Sequence, residues 1–246
     1  MAKYAVILPA AGQSSRFKGN KKKTFTDLKG RAVWLRAAEP FLNRPDVVQT
    51  IIVVAPDDME WFKEKFRPNL AFSDVEIAAG GNSRAESVRN ALAVVKSEAD
   101  FVAIHDAARP LLATEWIDGV FAAAEKHGAA ILGVPITSTI KKVESDKTIA
   151  ATVPRDHLWA AQTPQVFKKS LLLDAYEHPT ANAATDEASL MENVGQPVHM
   201  VEGSPINIKI TTNADFGMAM HLLNAVPKDT GPLNLHPFKD DDGLIF

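Results

Sequence analysis

The 246-residue chain is long enough for one sizeable domain, or one domain with an appendage, and its 46% hydrophobic and 23% charged residues are typical of globular proteins. Its net charge of −3 argues against a general nucleic-acid-binding protein, which needs a basic surplus for phosphate contacts. No cysteine occurs, so disulfides and thiolate metal sites are excluded, and the expected location is a reducing cytoplasm. No segment approaches the roughly 18 consecutive apolar residues of a membrane helix, so we expect no membrane partner.

Five short apolar runs, rich in Val and Ile, predict strands that are buried on both faces. They are YAVILP, TIIVVA, VEIAA, FVAIH and AAILGVP. Segments of helical character separate them, which predicts an α/β fold with a Rossmann-like, doubly wound and mainly parallel sheet. Ligands bind at the carboxyl ends of the strands in such sheets, so the loops after YAVIL, VEIAA and FVAI are the expected site.

The helical segments carry recognisable start and stop signals. SRAESVRNALAVVKS begins with a predicted capping box between Ser83 and Glu86, and TEWIDGVFAAAEKHG ends at Gly128, a typical C-terminal stop. RAVWLRAAEPFLN contains Pro40, which should kink or break a helix.

The pattern changes between about residues 137 and 162. STIKKVESD and KTIAATVPR read as two alternating strands joined by a polar turn, which predicts a protruding β-hairpin arm. An isolated hairpin is marginal in water, so we expect the arm to pack against a second copy of the chain. The segment 226–246 combines Pro, Gly and an acidic run and predicts a flexible C-terminal extension, which leaves 1–225 as a single domain.

The loop LPAAGQSSRFKGNKKKTF, residues 8–25, turns through small residues and then becomes densely basic. Its spacing fits neither a P-loop nor the dinucleotide GxGxxG pattern. Small residues let backbone amides approach an anion closely, and the cations that follow can surround it. A phosphate cradle and a solvated basic loop are therefore both open. The cations are Arg16, Lys18, Lys21, Lys22 and Lys23.

The motif HDAARP, residues 105–110, directly follows a strand predicted to be buried. Asp106 beside Arg109 suits a metal or ribose contact, and a purely structural Asp–Arg pair is an equal alternative. Magnesium takes one or two carboxylates plus phosphate oxygens, and Asp106 is the best-placed carboxylate for it.

Three further motifs have both a functional and a structural interpretation. GGNSRAES offers glycines and a helix N-terminus, which is either an anion or base site or simply a capped helix. TDEAS predicts a helix start with Thr185 as the N-cap. NIKIT predicts a strand with Lys209 opposite its buried face, where a solvent-facing lysine is the usual explanation. The histidines show no metal-ligand spacing, and no nucleophile–base pair is evident.

Taken in order, these motifs resemble the 2-C-methyl-D-erythritol 4-phosphate cytidylyltransferase family of the nonmevalonate isoprenoid pathway, from about Tyr4 to Leu223. The matching segments are PAAGQSSR, KKKTF, GGNSRAESV, HDAARP, TSTIKK, TVPRDHLWAAQTPQVF, TDEAS and VEGSPINIKIT. The resemblance implies attack of methylerythritol phosphate on the α-phosphorus of CTP, with release of pyrophosphate. It also implies Mg²⁺ as cofactor and a homodimer whose arm reaches the active site of the partner.

The resemblance assigns roles to individual residues. The catalytic ones are Arg16, Lys23 and Lys209, of which Arg16 and Lys23 stabilise the transition state. Nucleotide contacts fall on Pro9, Ala10, Ala11, Gly12, Gly81, Asn82, Ser87 and Asp106, the last of which also holds the metal. Acceptor contacts fall on Thr139, Arg155, Thr185 and Arg109.

The chain departs from the family pattern at a few positions. Ser14 replaces a glycine, Asn82 stands where an Asp is frequent, and Lys22-Lys23-Thr24 replaces Pro-Lys-Gln, so that spacing from Arg16 selects Lys23 over Lys22. Two alternative functions follow: a ribitol-5-phosphate cytidylyltransferase on the same scaffold, or a protein that binds a nucleotide without catalysis.

Overall fold

The computed structural model describes residues 1–12, 22–178 and 184–227. Within these ranges eleven strands occur. They are β1 (Tyr4–Pro9), β2 (Asp27–Leu28), β3 (Arg31–Ala32), β4 (Val47–Val54), β5 (Val75–Ala79), β6 (Phe101–Ile104), β7 (Ala129–Pro135), β8 (Ile140–Val143), β9 (Ile149–Val153), β10 (Trp159–Lys168) and β11 (His199–Glu202).

Eight α-helices connect the strands in the same described ranges. They are α1 (Val33–Leu42), α2 (Met59–Lys65), α3 (Arg67–Ala71), α4 (Arg84–Leu92), α5 (Thr114–His127), α6 (Lys169–Tyr176), α7 (Glu187–Asn193) and α8 (Asn213–Leu222). None of these helices has both the length and the apolar composition required to cross a membrane.

Seven of the eleven described strands build one sheet, in the order β11-β7-β10-β6-β1-β4-β5. The pairs β6–β1, β1–β4, β4–β5 and β7–β11 are parallel, and β10 runs antiparallel to both of its neighbours, β6 and β7. The predicted α/β fold with a mainly parallel sheet is therefore confirmed, and each of the five apolar runs forms one of its strands.

Helices cover both faces of the sheet, which is why the central strands are apolar throughout. Successive residues of β1 point to opposite sides: Val6 and Leu8 pack in one core cluster, and Ile7 packs in the other. The first cluster includes residues of α1, α2 and α5, and the second includes residues of α4, α6 and α7. Burying both faces fixes the sheet rigidly, and with it the loops at its carboxyl edge.

Local signals decide the helix ends, and some differ from the predictions. Pro40 lies inside α1, close to its C-terminal end, so the helix is not broken before it. Gly128 adopts a left-handed φ of 85° and ends α5 as predicted. Ser83 caps α4 by accepting from the Glu86 amide, but the Glu86 carboxylate accepts from Asn82 N instead of closing the box on Ser83.

Two predictions in the C-terminal part of the chain are wrong. The N-cap of α7 is Asp186, not Thr185, because the Asp186 carboxylate accepts from the Ser189 amide and completes a capping box. The NIKIT segment is not a strand; residues 206–211 form a loop, and the strand in this region is β11. Ile210 is nevertheless buried and Lys209 exposed, as the alternation indicated.

The predicted hairpin exists as β8 and β9, an antiparallel pair separate from the main sheet. The end of the range predicted for the arm, from Trp159 to Ala161, instead pairs with β7 in the main sheet. The division into a domain of residues 1–225 and an extension of 226–246 stays a prediction, and residues 228–246 lie outside the described ranges.

Candidate active site

A cavity of about 910 Å³ opens at the carboxyl edge of the sheet, where the loops after β1, β4, β5 and β6 meet. This is the edge at which parallel sheets bind ligands. The cavity is lined by Pro9, Ala10, Ala11, Gly12, Lys22, Lys23, Thr24, Ala55, Pro56, Asp57, Asp58, Gly80, Gly81, Asn82, Ser83, Arg84, Glu86, Ser87, Asn90, Asp106 and Lys209.

The wall between the β1 and β5 loops requires close backbone approach. A Cβ on Gly80 would lie 2.6 Å from the Ala11 Cβ, so only glycine lets the two loops touch. The Gly81 amide donates to Ser87 Oγ at 3.0 Å, and Ser87 Oγ donates to Ser83 O at 2.8 Å. The Ser87 hydroxyl therefore fixes the conformation of this turn.

Asp106 is the electrostatic centre of the cavity floor. Its Oδ2 lies 2.8 Å from Lys209 Nζ and 3.6 Å from Arg109 Nε, and its Oδ1 lies 3.9 Å from an Arg84 guanidinium nitrogen. Burial alone would raise the pKa of Asp106, but the charges of Lys209, Arg84 and Arg109 hold it well below its usual range. The carboxylate is therefore ionised at neutral pH.

A short hydrogen-bond relay fixes the backbone of Asp106. The Asp106 amide donates to Thr163 Oγ1 at 3.0 Å, and the Thr163 hydroxyl lies 3.1 Å from His105 Nδ1. His105 Nε2 lies 3.0 Å from Arg109 O, which can only accept, so we assign the proton to Nε2 and let Nδ1 accept from Thr163. Burial lowers the pKa of His105 to about 4, so the ring stays neutral and keeps this arrangement.

The loop that carries Lys209 is bound directly to the HDAARP loop. Arg109 Nη1 donates to Asn207 O at 2.7 Å, and the Ile210 amide donates to Ala108 O at 2.8 Å. Asn207 Nδ2 also donates to Thr163 O at 2.9 Å. Lys209 lies between two anchored residues, which explains how a loop lysine reaches Asp106.

Two glutamines of β10 anchor neighbouring segments on either side of Thr163. Gln162 Nε2 donates to Ser204 O at 2.8 Å, at the start of the Lys209 loop. Gln165 Nε2 donates to Asp186 Oδ2 at 2.8 Å and its Oε1 accepts from the Ala188 amide at 3.1 Å, which holds the start of α7. The AQTPQ motif thus positions both the Lys209 loop and the TDEAS segment.

Comparison with known proteins shows to which family the chain belongs. The model of the family IspD, 2-C-methyl-D-erythritol 4-phosphate cytidylyltransferase, matches residues 4–225. Proteins of that name from Symbiobacterium thermophilum and Solibacter usitatus are 41% and 39% identical, over 89% and 88% of this chain and 92% and 94% of theirs. The chain belongs to this family. The crystal structure of the Francisella tularensis 2-C-methyl-D-erythritol 4-phosphate cytidylyltransferase superimposes with a TM-score of 0.76 and 30% identity, covering 89% of this chain and 98% of that one.

As a member of the cytidylyltransferase family, the chain is a nucleotidyltransferase. All eight residues that the resemblance assigned to the nucleotide line the cavity. They are Pro9, Ala10, Ala11, Gly12, Gly81, Asn82, Ser87 and Asp106, and the catalytic candidates Lys23 and Lys209 line it as well. Arg16 lies outside the described residues. Lys22 also lines the cavity, but it forms an ion pair with Asp58 that compensates its charge.

The four acceptor candidates of the cytidylyltransferase lie outside the described cavity lining. Thr139 precedes β8, and Arg155 follows β9 and donates to Thr137 O, so both lie at the base of the hairpin. Thr185 is exposed beside α7, and its amide donates to Ser189 Oγ. Arg109 is largely buried and holds Asp106 and Asn207.

The donors present fit magnesium in one mode only. Within the described residues there is no group of three or more carboxylates and imidazoles that could enclose a cation. Asp106 supplies one ionised carboxylate in the cavity, which suits a Mg²⁺ ion whose other ligands are substrate phosphate oxygens and water.

The sequence analysis did not single out Thr163 or Arg84 as site residues. Each lies within a motif that was recognised, but its role depends on a tertiary contact with a distant residue.

Proposed function

We propose that this chain joins CTP and 2-C-methyl-D-erythritol 4-phosphate in the described cavity, giving 4-diphosphocytidyl-2-C-methyl-D-erythritol and pyrophosphate. Membership of the cytidylyltransferase family supports this reaction. The observation that carries the assignment to this cavity is that Lys23, Lys209 and the ionised Asp106 line it together, although they come from distant parts of the chain. Phosphoryl transfer needs such cations around a polyphosphate.

The base and ribose bind between the β1 loop and the Gly80-Gly81 turn. The close contact between Ala11 and Gly80 leaves a narrow wall of small residues there, and Ser87 keeps the turn fixed. A small, rigid pocket of this kind suits a pyrimidine better than a purine.

The triphosphate lies towards Lys23 and Lys209. A phosphate oxygen of the acceptor attacks the α-phosphorus in line, and the bond from the α-phosphorus to the bridging oxygen breaks as pyrophosphate leaves. Negative charge grows on the phosphate oxygens in this transition state, and fixed cations stabilise it without covalent catalysis. Magnesium, when bound by Asp106 and the phosphates, supplies further positive charge there.

We further propose a homodimer that acts in the cytoplasm, in which the hairpin of one subunit completes the acceptor site of the other. Thr139 and Arg155 are exposed at the base of the hairpin, away from the cavity of their own chain. The hairpin also exposes Val143 and Ile149, which suits burial against a second subunit.

Turnover assays test the reaction directly. CTP and magnesium are supplied with either methylerythritol phosphate or ribitol 5-phosphate, and pyrophosphate release is measured. We expect methylerythritol phosphate to be the better acceptor; faster use of ribitol 5-phosphate would overturn the substrate assignment. Binding of CTP by calorimetry without turnover of either acceptor would overturn the enzymatic assignment.

Mixed dimers test the composite site. In the proposed dimer, each site combines Lys23 of one chain with Arg155 of the other. A dimer of one Lys23→Met chain and one Arg155→Ala chain would therefore contain one site with both wild-type residues and one site with neither. We therefore expect about half of the wild-type activity from mixed dimers, whereas each homodimeric variant is strongly impaired. Mixed dimers as inactive as the homodimers would show that the hairpin does not serve the partner.

A further inference from the structure

Arg84, the first residue of α4, is held rigidly at the edge of the cavity by Glu187, the first residue of α7. Its two terminal nitrogens donate to Glu187 Oε1 and Oε2 at 2.7 and 2.9 Å. The Glu187 side chain is only 1% exposed, whereas that of Arg84 is 30% exposed towards the cavity that it lines. This bidentate geometry fixes the plane of the guanidinium group.

Glu187 is itself fixed from other sides. Tyr176 of α6 donates its hydroxyl to Glu187 Oε1 at 3.1 Å. Gln165 of β10 holds the flanking residues Asp186 and Ala188. The position of Arg84 is therefore determined by α6, α7 and β10 together, and not by a flexible side chain acting alone.

The same guanidinium also lies near Asp106. The nitrogen that bonds Glu187 Oε2 lies 3.9 Å from Asp106 Oδ1, whereas the 2.8 Å ion pair of Lys209 is with Oδ2. That distance is too long for a hydrogen bond but short for two opposite charges. Glu187 thus keeps Arg84 near Asp106 while preventing a direct pair.

We propose that Arg84, restrained by Glu187, is a positioning residue that keeps Asp106 Oδ1 turned into the cavity and available to magnesium; this inference rests on the proposed function. Without Arg84, the cations nearest to the carboxylate would be Lys209 and Arg109, which both approach Oδ2, and nothing would hold the orientation of Oδ1. Without Glu187, Arg84 would be able to close the remaining gap and occupy Oδ1 itself. Either change makes Oδ1 less available to a cation.

A variant pair separates this role from a contribution to folding. Arg84→Met alone leaves Glu187 as a buried carboxylate without its cation and is expected to destabilise the protein, whereas Arg84→Met/Glu187→Gln removes both charges and keeps an acceptor for the Tyr176 hydroxyl. Arg89→Met is the matched control: it removes another arginine of α4, one that donates to Tyr176 O at 2.8 Å and does not line the cavity.

The measurements are thermal unfolding, kcat, and the dissociation constant of CTP with and without magnesium. In the double variant we expect near wild-type thermal stability. The factor by which magnesium tightens CTP binding should fall roughly 10-fold or more, and kcat should fall by a similar factor, as for residues that orient a metal ligand. The Arg89→Met control should keep the wild-type kcat and the wild-type magnesium effect.

A double variant with wild-type kcat and wild-type magnesium effect would overturn the inference and leave the pair a purely structural one. If the double variant does not fold, Arg84→Lys replaces it: the ammonium retains the charge but cannot bridge both Glu187 oxygens, so the same losses are expected and their absence is equally decisive. Failure of the wild-type protein to bind or turn over CTP would instead overturn the proposed function.

Discussion

Lys209 Nζ lies 2.8 Å from Asp106 Oδ2, so the loop before α8 and the loop after β6 meet at the floor of the cavity. The pair is asymmetric, because the Lys209 side chain is 40% exposed and that of Asp106 only 10%. The lysine can therefore exchange its partner for a phosphate group, whereas the carboxylate stays in place.

This asymmetry predicts that Lys209→Met loses activity and keeps its fold. Lys209 is partly exposed, and Asp106 keeps Arg84 and Arg109 nearby, so loss of the lysine should cost only about 1 kcal/mol of stability. Removing a cation from the developing charge of the transition state costs roughly 100-fold or more in kcat. Chemical unfolding and steady-state kinetics measure the two effects, and a large loss of stability with modest loss of kcat would contradict the assignment.

The two adjacent lysines at the cavity should differ. Lys23→Met is expected to lower kcat far more than it raises KM for CTP, because its charge matters most in the transition state. Lys22→Met should have a smaller effect, since Asp58 already compensates the Lys22 charge. Steady-state kinetics of both variants decide the matter, and the reverse order would identify Lys22 as the catalytic lysine.

The relay through Thr163 gives a prediction about the HDAARP loop. Thr163→Val keeps the shape of the side chain but leaves both the Asp106 amide and His105 Nδ1 without a partner in a buried region. We expect a loss of about 2 kcal/mol in unfolding free energy, together with reduced kcat. Thr163→Ser keeps the hydroxyl and should retain most of the stability and most of kcat. Equal losses in the two variants would refute the relay.

Two glycine substitutions should have opposite effects. Gly80→Ala places a Cβ 2.6 Å from the Ala11 Cβ and should cost roughly 1–3 kcal/mol and weaken CTP binding, because the two loops must separate. Gly217→Ala, within α8, meets no atom within 4 Å and should stabilise the protein by about 0.5–1 kcal/mol. Thermal unfolding and CTP titration test both, and tolerance of Gly80→Ala would show that the contact is not required.

The start of α8 predicts a specific acid sensitivity. Hydrogen bonds from Thr211, and then from Thr212, lower the pKa of Asp215 to about 2, below the value of about 4 in an unfolded chain. The folded state therefore favours the ionised form, so the stabilisation is fully present above pH 4 and is lost as the pH falls towards 2. Its size is about 1–2 kcal/mol after allowing for partial solvent screening.

The Asp215→Asn variant tests this sign. Relative to wild type it should be less stable at pH 7, and the difference should shrink by about half at pH 3 because only the wild-type residue titrates. Urea unfolding at several pH values provides the comparison. A difference that is constant from pH 7 to pH 3 would exclude ionisation of Asp215 as the cause.

The sequence was informative where local patterns determine structure. The five apolar runs became strands because strands buried on both faces need continuous Val and Ile, and Gly128 ended a helix because it adopts a left-handed conformation. A cavity lies at the carboxyl edge of the sheet, which is where the sequence predicted the ligand site.

The remaining features depend on contacts that no local pattern encodes. β10 was not identified, because its polar residues Gln162, Thr163 and Gln165 serve distant segments instead of continuing an apolar run. The segment around Lys209 was predicted to be a strand from its alternating pattern. It is a loop, held by hydrogen bonds to Arg109 and Ala108. GGNSRAES and TDEAS were recognised as helix starts, but the pairing of Arg84 with Glu187 was not, because it is a tertiary contact between them.

The antiparallel strand β10 also determines when the enzyme can become active during its synthesis. The loops that form the nucleotide walls, residues 9–12, 55–58 and 80–90, leave the ribosome early, whereas Thr163 and the 207–210 loop that immobilise Asp106 emerge much later. Nascent chains fold from the N-terminus as they lengthen. A polypeptide terminated before residue 163 therefore contains the walls of the cavity without the hydrogen-bond relay that holds Asp106 at its floor.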